Sequence, residues 1–587
     1  MASDIISLKG VTFSYKGSKR RALDGITLNV KQGECVAILG PTGAGKSTLA
    51  CVMNGTAPRF MDGSLAGDVT VDGMIPAKVG TAQMASRVGL VFGDPDTQLF
   101  GMTVEEDVAF GPANLGLGYE SIMERVGKSI GDMRLSGLER RAPHRLSGGQ
   151  KQATAIAGVY AMLPKIMVLD EPTSMLDPEG KARVFGIVRM LKEQLGVTVV
   201  LIEQEVDDIL NLADRVFVMR SGKFVLSGTP REVFGRVEEL RQAGVRVPQI
   251  VEFGTLIGAA ETPFTIEEAI SAIAPASAEE AVSGVTSAFA SVSEAANPAA
   301  APRASRAAQA DPVVEAVDVE FTYPGGARAL DGVNLAVGCG DFVAIVGQNG
   351  AGKTTLTRHF NGLLRPSSGD IRVLGRSTQG VPTIELCRHV GYVFQNPDEQ
   401  LFCTSVQEEL RFGPTNIGAD PGVTSQRVEE ILGDIGLTKY REVWPKYLTK
   451  GERQRLALAS VVAMDPDVLV VDEPTTGLDW VESLQILDYL ERLRNEQKKT
   501  IIIITHDMNI VSLYAKRVVV MARGRVVGDG TAREVFSQPD LMQLACLRRP
   551  PIADLSQALW GEVLLTPAEA AARLLAAKSQ AAGVCSE

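Results

Sequence analysis

No run of apolar residues in this 587-residue chain approaches the ~18 that a helix needs to cross a membrane, so no spanning segment is expected. The N-terminus enters a strand-like pattern at once, and no secretory leader is expected there. No C-x-x-C pair occurs. The seven cysteines (Cys35, Cys51, Cys339, Cys387, Cys403, Cys546 and Cys585) are scattered, and they read as reduced thiols of a cytoplasmic protein rather than as metal ligands. An excess of basic residues is missing too. The formal charge is −11, whereas a protein that binds nucleic acid irrespective of sequence neutralises phosphates with a basic face, so no nucleic-acid partner is expected.

What the chain does have is two phosphate-binding loops. One reads Gly40-Pro41-Thr42-Gly43-Ala44-Gly45-Lys46-Ser47, the other Gly347-Gln348-Asn349-Gly350-Ala351-Gly352-Lys353-Thr354. Both match G-x-x-x-x-G-K-[ST], follow an apolar strand (Val36 to Leu39, Val343 to Val346) and open a helix. The glycines let backbone N–H groups turn inward around phosphates, and the helix N-terminus adds partial positive charge. Lys46 and Lys353 are placed to reach the β- and γ-phosphates of ATP, Ser47 and Thr354 to hold Mg²⁺.

The loops belong to an internal duplication. Phe13-Ser14-Tyr15 recurs as Phe321-Thr322-Tyr323, and Ala22-Leu23-Asp24-Gly25 as Ala329-Leu330-Asp331-Gly332. Pro95-Asp96 with Gln98-Leu99-Phe100 recurs as Pro397-Asp398 with Gln400-Leu401-Phe402, and Phe110-Gly111-Pro112 as Phe412-Gly413-Pro414. An apolar strand ends in Asp170-Glu171-Pro172-Thr173 in one copy and Asp472-Glu473-Pro474-Thr475 in the other. Lys46 and Lys353 are 307 positions apart, Asp170 and Asp472 302, so only small loop changes separate the copies. The expected domains are 4–245 and 311–540, with C-terminal extensions at 246–273 and 541–587. Between them 274–310 is Ala/Ser-rich and reads as a linker, with a reach on the order of 35 Å as a flexible coil.

Leu146-Ser147-Gly148-Gly149-Gln150, shortly before Asp170, resembles the signature of ABC ATPases, and with the paired phosphate loops the resemblance covers both repeats. It implies an α/β fold of two P-loop NTPase domains in tandem, each with a RecA-like core, an antiparallel β subdomain and a helical signature subdomain. In that family two domains pack head to tail, each ATP lying between the phosphate loop of one and the signature of the other. By that resemblance Ser147, Gly148, Gly149 and Gln150 contact ATP from the far side, Thr48 and Thr355 complete the loop contacts, and Tyr15 and Tyr323 stack on adenine. A tyrosine at a strand end is, for its part, often only packing. Asp170 and Asp472 end buried strands, where a carboxylate is costly unless it serves Mg²⁺. Glu171 and Glu473 would orient or deprotonate the attacking water. Gln395 matches the Q-loop glutamine, a further Mg²⁺ ligand, and His506 the switch histidine; Asp177 and Asp479 lie in loops that resemble the D-loop.

The departures from the pattern fall together. Copy one has Gly93 and Gln204 where copy two has Gln395 and His506, and copy two has Leu448-Thr449-Lys450-Gly451-Glu452 in place of the signature. Head-to-tail pairing would leave copy two's loop in a complete site and copy one's loop in a degenerate one that binds ATP–Mg²⁺ and hydrolyses it slowly.

Within the family, P-D-x-Q-L-F followed by Glu105-Glu106-Asp107 or Glu408-Glu409 and by F-G-P looks like the ATPases of energy-coupling-factor importers of vitamins, cobalt or nickel. That likeness implies a transmembrane coupling protein and a substrate-binding membrane subunit as partners. It places the chain at the cytoplasmic face of the cell membrane through those partners only, with the acidic stretches receiving basic coupling helices. Soluble ribosome-associated tandem ATPases are the alternative, but those carry a basic helical linker, whereas this one has Glu279, Glu280 and Glu294 against Arg303 and Arg306. DNA-repair ATPases need coiled-coil arms or zinc-binding cysteines, and neither is visible. A sugar-importer ATPase is a closer rival, disfavoured by the P-D-x-Q-L-F segments.

Overall fold

The structure is a computed structural model that describes residues 4–18, 20–204, 206–273 and 312–584. The expected linker, 274–310, lies outside the described residues. The chain divides into two compact units, Met1–Pro248 with Asp479–Val481, and Gln249–Leu478 with Glu482–Glu587.

In the first unit a six-stranded sheet runs Val88–Val91, Ile166–Asp170, Thr198–Ile202, Cys35–Leu39, Arg215–Arg220, Lys223–Gly228. The first five strands are parallel and the last is antiparallel. Cys35–Leu39 and Thr198–Ile202 are buried throughout, which is why they read as unbroken apolar runs: helices and a second sheet cover both faces. The second sheet is antiparallel, in the order Leu23–Lys31, Asp4–Tyr15, Gly63–Val71. Leu23–Lys31 buries alternate residues, as a strand with one wet face should. Ile6, Leu8 and Phe13 from this sheet pack in one core with Val36 and Ile38 from the parallel sheet and Leu49 from the helix Lys46–Met53. The helices Val104–Asn114, Tyr119–Asp132 and Gly148–Tyr160 form the intervening helical region.

The second unit repeats the plan. Its six-stranded sheet runs Val390–Val393, Val468–Asp472, Thr500–Ile504, Phe342–Val346, Arg517–Ala522, Arg525–Gly530. The antiparallel sheet is Arg328–Val337, Val314–Thr322, Ser368–Val373, Arg376–Ser377. The helical region is Val406–Asn416, Pro421–Asp434 and Lys450–Val462. This unit also holds a separate apolar cluster in which Ile250 and Phe253 of Gln249–Leu256 meet Ile552 and Leu555 of Pro551–Trp560 and Leu574 of Pro567–Val584.

The strand order places the chemistry. In each parallel sheet three adjacent strands end together, one in the phosphate loop, one in Asp-Glu and one in the segment that carries Gln204 or His506. Ligands bind at the carboxyl ends of such strands.

Candidate functional site

Each phosphate loop is a glycine structure by necessity. Gly40 has φ 144° and Gly347 φ 146°, and a Cβ on either would stand 2.2 Å from a backbone oxygen, of Met219 or Met521. Gly45 (φ 106°) and Gly352 (φ 100°) then lead into the helices Lys46–Met53 and Lys353–Phe360. The lysines are buried and bend back over their loops. Lys46 Nζ donates to Gly40 O at 2.7 Å and Pro41 O at 3.1 Å, and Lys353 Nζ to Gly347 O at 2.7 Å and Gln348 O at 3.0 Å. Tyr15 and Tyr323 are a little over one-third exposed, and their hydroxyls lie 2.8 Å from Thr48 Oγ1 and 3.1 Å from Thr355 Oγ1. Each ring is therefore tied to the helix that follows its own loop and packs edge-to-face on Phe13 or Phe321.

In the second unit a cavity of about 140 Å³ gathers Asn349, Lys353, Thr354, Gln395, Asp472 and Glu473. Glu473 has φ 48° and Glu171 φ 51°, left-handed conformations that cost a non-glycine residue of order 1–3 kcal/mol. Backbone bonds from Glu171 N to Ile202 O (2.8 Å) and from Glu473 N to Ile504 O (2.9 Å) hold them there. His506 Nδ1 lies 3.0 Å from Glu473 Oε1. In the first unit Gln204 Nε2 donates to Glu171 Oε1 at 2.8 Å, and Lys46 Nζ lies 3.5 Å from the same oxygen. Gln204 thus keeps the contact that the histidine makes, through an amide in place of an imidazole.

The Gly93 difference is built into the backbone. A Cβ there would meet Glu171 O at 2.7 Å and Asp170 O at 3.1 Å, so the main chain fills the space into which a side chain would grow.

The residues fit a divalent cation. Asp170 Oδ1 and Asp472 Oδ1 are buried with no hydrogen-bond partner, an arrangement that costs free energy unless a cation meets the oxygen. Burial pushes the Asp170 carboxyl up to about 6 against a hydrogen bond from Ser47, and burial also raises Asp472, against bonds from Tyr392 and Thr354. A cation held with Ser47 or Thr354 would offset that desolvation.

Ser147 is the N-cap of Gly148–Tyr160, with Gln150 closing a capping box, and Thr449 and Glu452 do the same for Lys450–Val462. Glu452 Oε2 accepts from Thr449 N at 2.8 Å and Thr449 Oγ1 at 3.0 Å, so its charge serves its own helix start. Asp177 caps Pro178–Glu193, while Asp479 Oδ2, within the first unit, accepts from Thr42 N at 2.9 Å.

Sequence reading missed two groups. Glu203, 1% exposed, accepts from Thr173 N and Oγ1 and from Gln204 N; its counterpart is Thr505. Tyr392, whose counterpart is Leu90, donates to Asp472 Oδ2 at 2.9 Å. Laying the copies over each other marks both positions as unlike pairs beside motif residues.

The acidic stretches divide into two kinds. Asp107 and Glu409 are buried and hold their loops, Asp107 Oδ1 accepting from Phe100 N and Gly101 N, and Glu409 Oε2 from Phe402 N and Cys403 N. Burial raises the Glu409 carboxyl. Glu106 and Glu408 are exposed and Glu105 half-buried. What each segment also exposes is an edge-to-face aromatic pair, Phe100–Phe110 with ring centres 4.4 Å apart and Phe402–Phe412 at 4.6 Å. No helix among the described residues is long and apolar enough to cross a membrane.

Comparison with known proteins agrees with this geometry. The profile of the ABC transporter family matches residues 23–174 and 330–476. A protein of Caldanaerobacter subterraneus subsp. tengcongensis, provisionally named an ABC transporter ATP-binding protein, is 40% identical over 96% of this chain and 98% of its own length. One of the same provisional name from Methanosarcina mazei is 39% identical over 94% of this chain and 93% of its own. The solved CbiO1 of Clostridium perfringens, described as part of the ABC transporter complex CbiONQ, is 36% identical, with a TM-score of 0.38 over 42% of this chain and all of that one. Two phosphate loops, each with an Asp-Glu strand end on an α/β unit, and two matched family segments together show that the chain belongs to the ABC transporter family of ATPases, with two of its ATP-binding domains in tandem.

Proposed function

We propose that the chain is the ATP-hydrolysing subunit of a membrane importer of the energy-coupling-factor type, taking up a vitamin or a transition-metal ion. The observation that carries this reading is the repeated ledge after each Q-loop position. Phe100–Phe110 and Phe402–Phe412 stand exposed beside Glu105, Glu106 and Glu408. An amphipathic helix with basic residues, offered by a transmembrane coupling protein, suits such a surface: its apolar face covers the rings and its cations meet the carboxylates. A substrate-binding membrane subunit completes the importer, and the ATPase reaches the cytoplasmic face of the membrane through these partners.

The two ATP sites are unequal in this reading. Lys353, Thr354, Gln395, Asp472, Glu473 and His506 work with Ser147, Gly149 and Gln150 as the productive site. Lys46, Ser47, Gly93, Asp170, Glu171 and Gln204 work with Thr449, Lys450, Gly451 and Glu452 as a site that holds nucleotide and turns it over slowly. At the productive site Glu473 takes the proton of the attacking water, and His506 fixes the carboxylate's orientation through Oε1. Bound Mg²⁺ supplies charge neutralisation at the β- and γ-phosphates.

Affinity capture of the full chain from detergent-solubilised membranes tests the assignment. Recovery of a polytopic membrane protein together with a small substrate-binding one supports it. Recovery of ribosomes overturns it in favour of the soluble alternative, and recovery of a sugar importer's subunits overturns the substrate class.

A further inference from the structure

Tyr392 is 6% exposed, and its hydroxyl donates to Asp472 Oδ2 at 2.9 Å. The other oxygen, Oδ1, is buried without a partner. The same hydroxyl lies 3.4 Å from Thr357 Oγ1, and Arg358, one residue on, adds positive potential at Asp472. One carboxylate oxygen is thus occupied and fixed while the other is left for an incoming cation.

The first copy serves as an internal control. Thr357, Arg358 and Tyr392 correspond to Ala50, Cys51 and Leu90. All three polar groups behind Asp472 are replaced by side chains that donate no strong hydrogen bond, and Asp170 is left with Ser47 and the charge of Lys46. The asymmetry therefore runs behind Asp472 as well as in front of it, in residues that do not line the cavity at the second loop.

We propose that Tyr392 is a positioning residue for the cation at the second phosphate loop: by holding Oδ2 of Asp472 it aims Oδ1 at the metal, and this makes the second loop the tighter metal site of the two. Partners behind a metal ligand commonly tune affinity by 10–100-fold, and a buried carboxylate free to rotate loses that advantage. The proposal rests on the reading that Asp472 ligates Mg²⁺.

Mn²⁺ is the probe. The full chain is loaded with two equivalents of AMP-PNP, and Mn²⁺ binding is followed by electron paramagnetic resonance, beside nucleotide affinity measured in EDTA. Tyr392→Phe keeps the ring and deletes the hydroxyl. The expected result is metal affinity about tenfold weaker at one of two sites, with nucleotide affinity in EDTA unchanged. Asp472→Asn identifies that site by abolishing its metal signal. Unchanged metal binding in Tyr392→Phe with loss in Asp472→Asn overturns the role of Tyr392 and leaves the ligand assignment standing. No effect of Asp472→Asn overturns the ligand assignment itself. Equal weakening with and without metal in Tyr392→Phe marks a packing role and also overturns the proposal.

Discussion

His506 Nδ1 stands 3.0 Å from Glu473 Oε1, a contact that links the switch position to the residue proposed to activate water. Glu473 is held at φ 48°, and its other oxygen, Oε2, lies 3.5 Å from Thr476 Oγ1, so the carboxylate is met at both oxygens. Removing a well-placed group of this kind costs ~10²–10³ in rate, and His506→Ala is expected to lower steady-state ATP hydrolysis by that order with nucleotide affinity little changed. Gln204→His is expected to restore little, because the backbone at Gly93 leaves no room for the missing glutamine beside it.

The phosphate loops give a sharper steric outcome. At Gly347 a Cβ meets Met521 O at 2.2 Å, and the left-handed region alone costs an L-residue roughly 1–2 kcal/mol. Gly347→Ala should weaken ATP binding at the second loop by tenfold or more, and Gly40→Ala should do so at the first. Gly350→Ala has open space around its Cβ and φ 81°, so it should be milder. Equilibrium binding of a fluorescent ATP analogue ranks the three.

Much of the fold was legible because the duplication let one copy check the other. The strand before each loop, the Asp-Glu strand ends and the helix after each signature stand where the motifs place them. Less legible were groups defined by contact across the sheet. Tyr392 is an aromatic in an apolar strand, Glu203 an acid at a strand end, and neither matches a motif. Sequence also mistook the acidic stretches for a uniform surface. Asp107 and Glu409 turn inward because backbone N–H groups of the preceding loop need acceptors, a demand that linear sequence does not display. Glu452, in the altered signature, accepts from the backbone and hydroxyl of Thr449 and caps its own helix, a role that linear sequence likewise does not display.

That division changes the docking test. Phe110→Ala with Phe412→Ala, or charge reversal at Glu105, Glu106 and Glu408, should release the ATPase from the proposed membrane partner with nucleotide binding intact. Asp107→Asn and Glu409→Gln should instead loosen their own loops, seen as faster amide exchange at Phe100–Gly101 and Phe402–Cys403. Retained membrane association in the first set would place docking elsewhere.

Asp479, whose loop resembles a D-loop, accepts from Thr42 N through Oδ2 inside the first unit. Closure within one chain is part of the proposed function, because one chain encodes every residue of a complete composite site. ATPase rate per chain should then be independent of protein concentration, with monomers by light scattering. A rate that climbs steeply with concentration, accompanied by dimers, would point to closure between chains.

The central claim is that one glutamate carries most of the turnover. Glu473 has Gln395 and His506 in its own unit, whereas Glu171 has Gly93 and Gln204. Steady-state ATP hydrolysis of Glu473→Gln and Glu171→Gln, measured side by side in the assembled transporter, tests it most directly. The expected result is a loss of about 10²-fold or more for Glu473→Gln, the scale of general-base catalysis, and of several-fold at most for Glu171→Gln. Equal losses, or a larger loss at Glu171, would contradict the account.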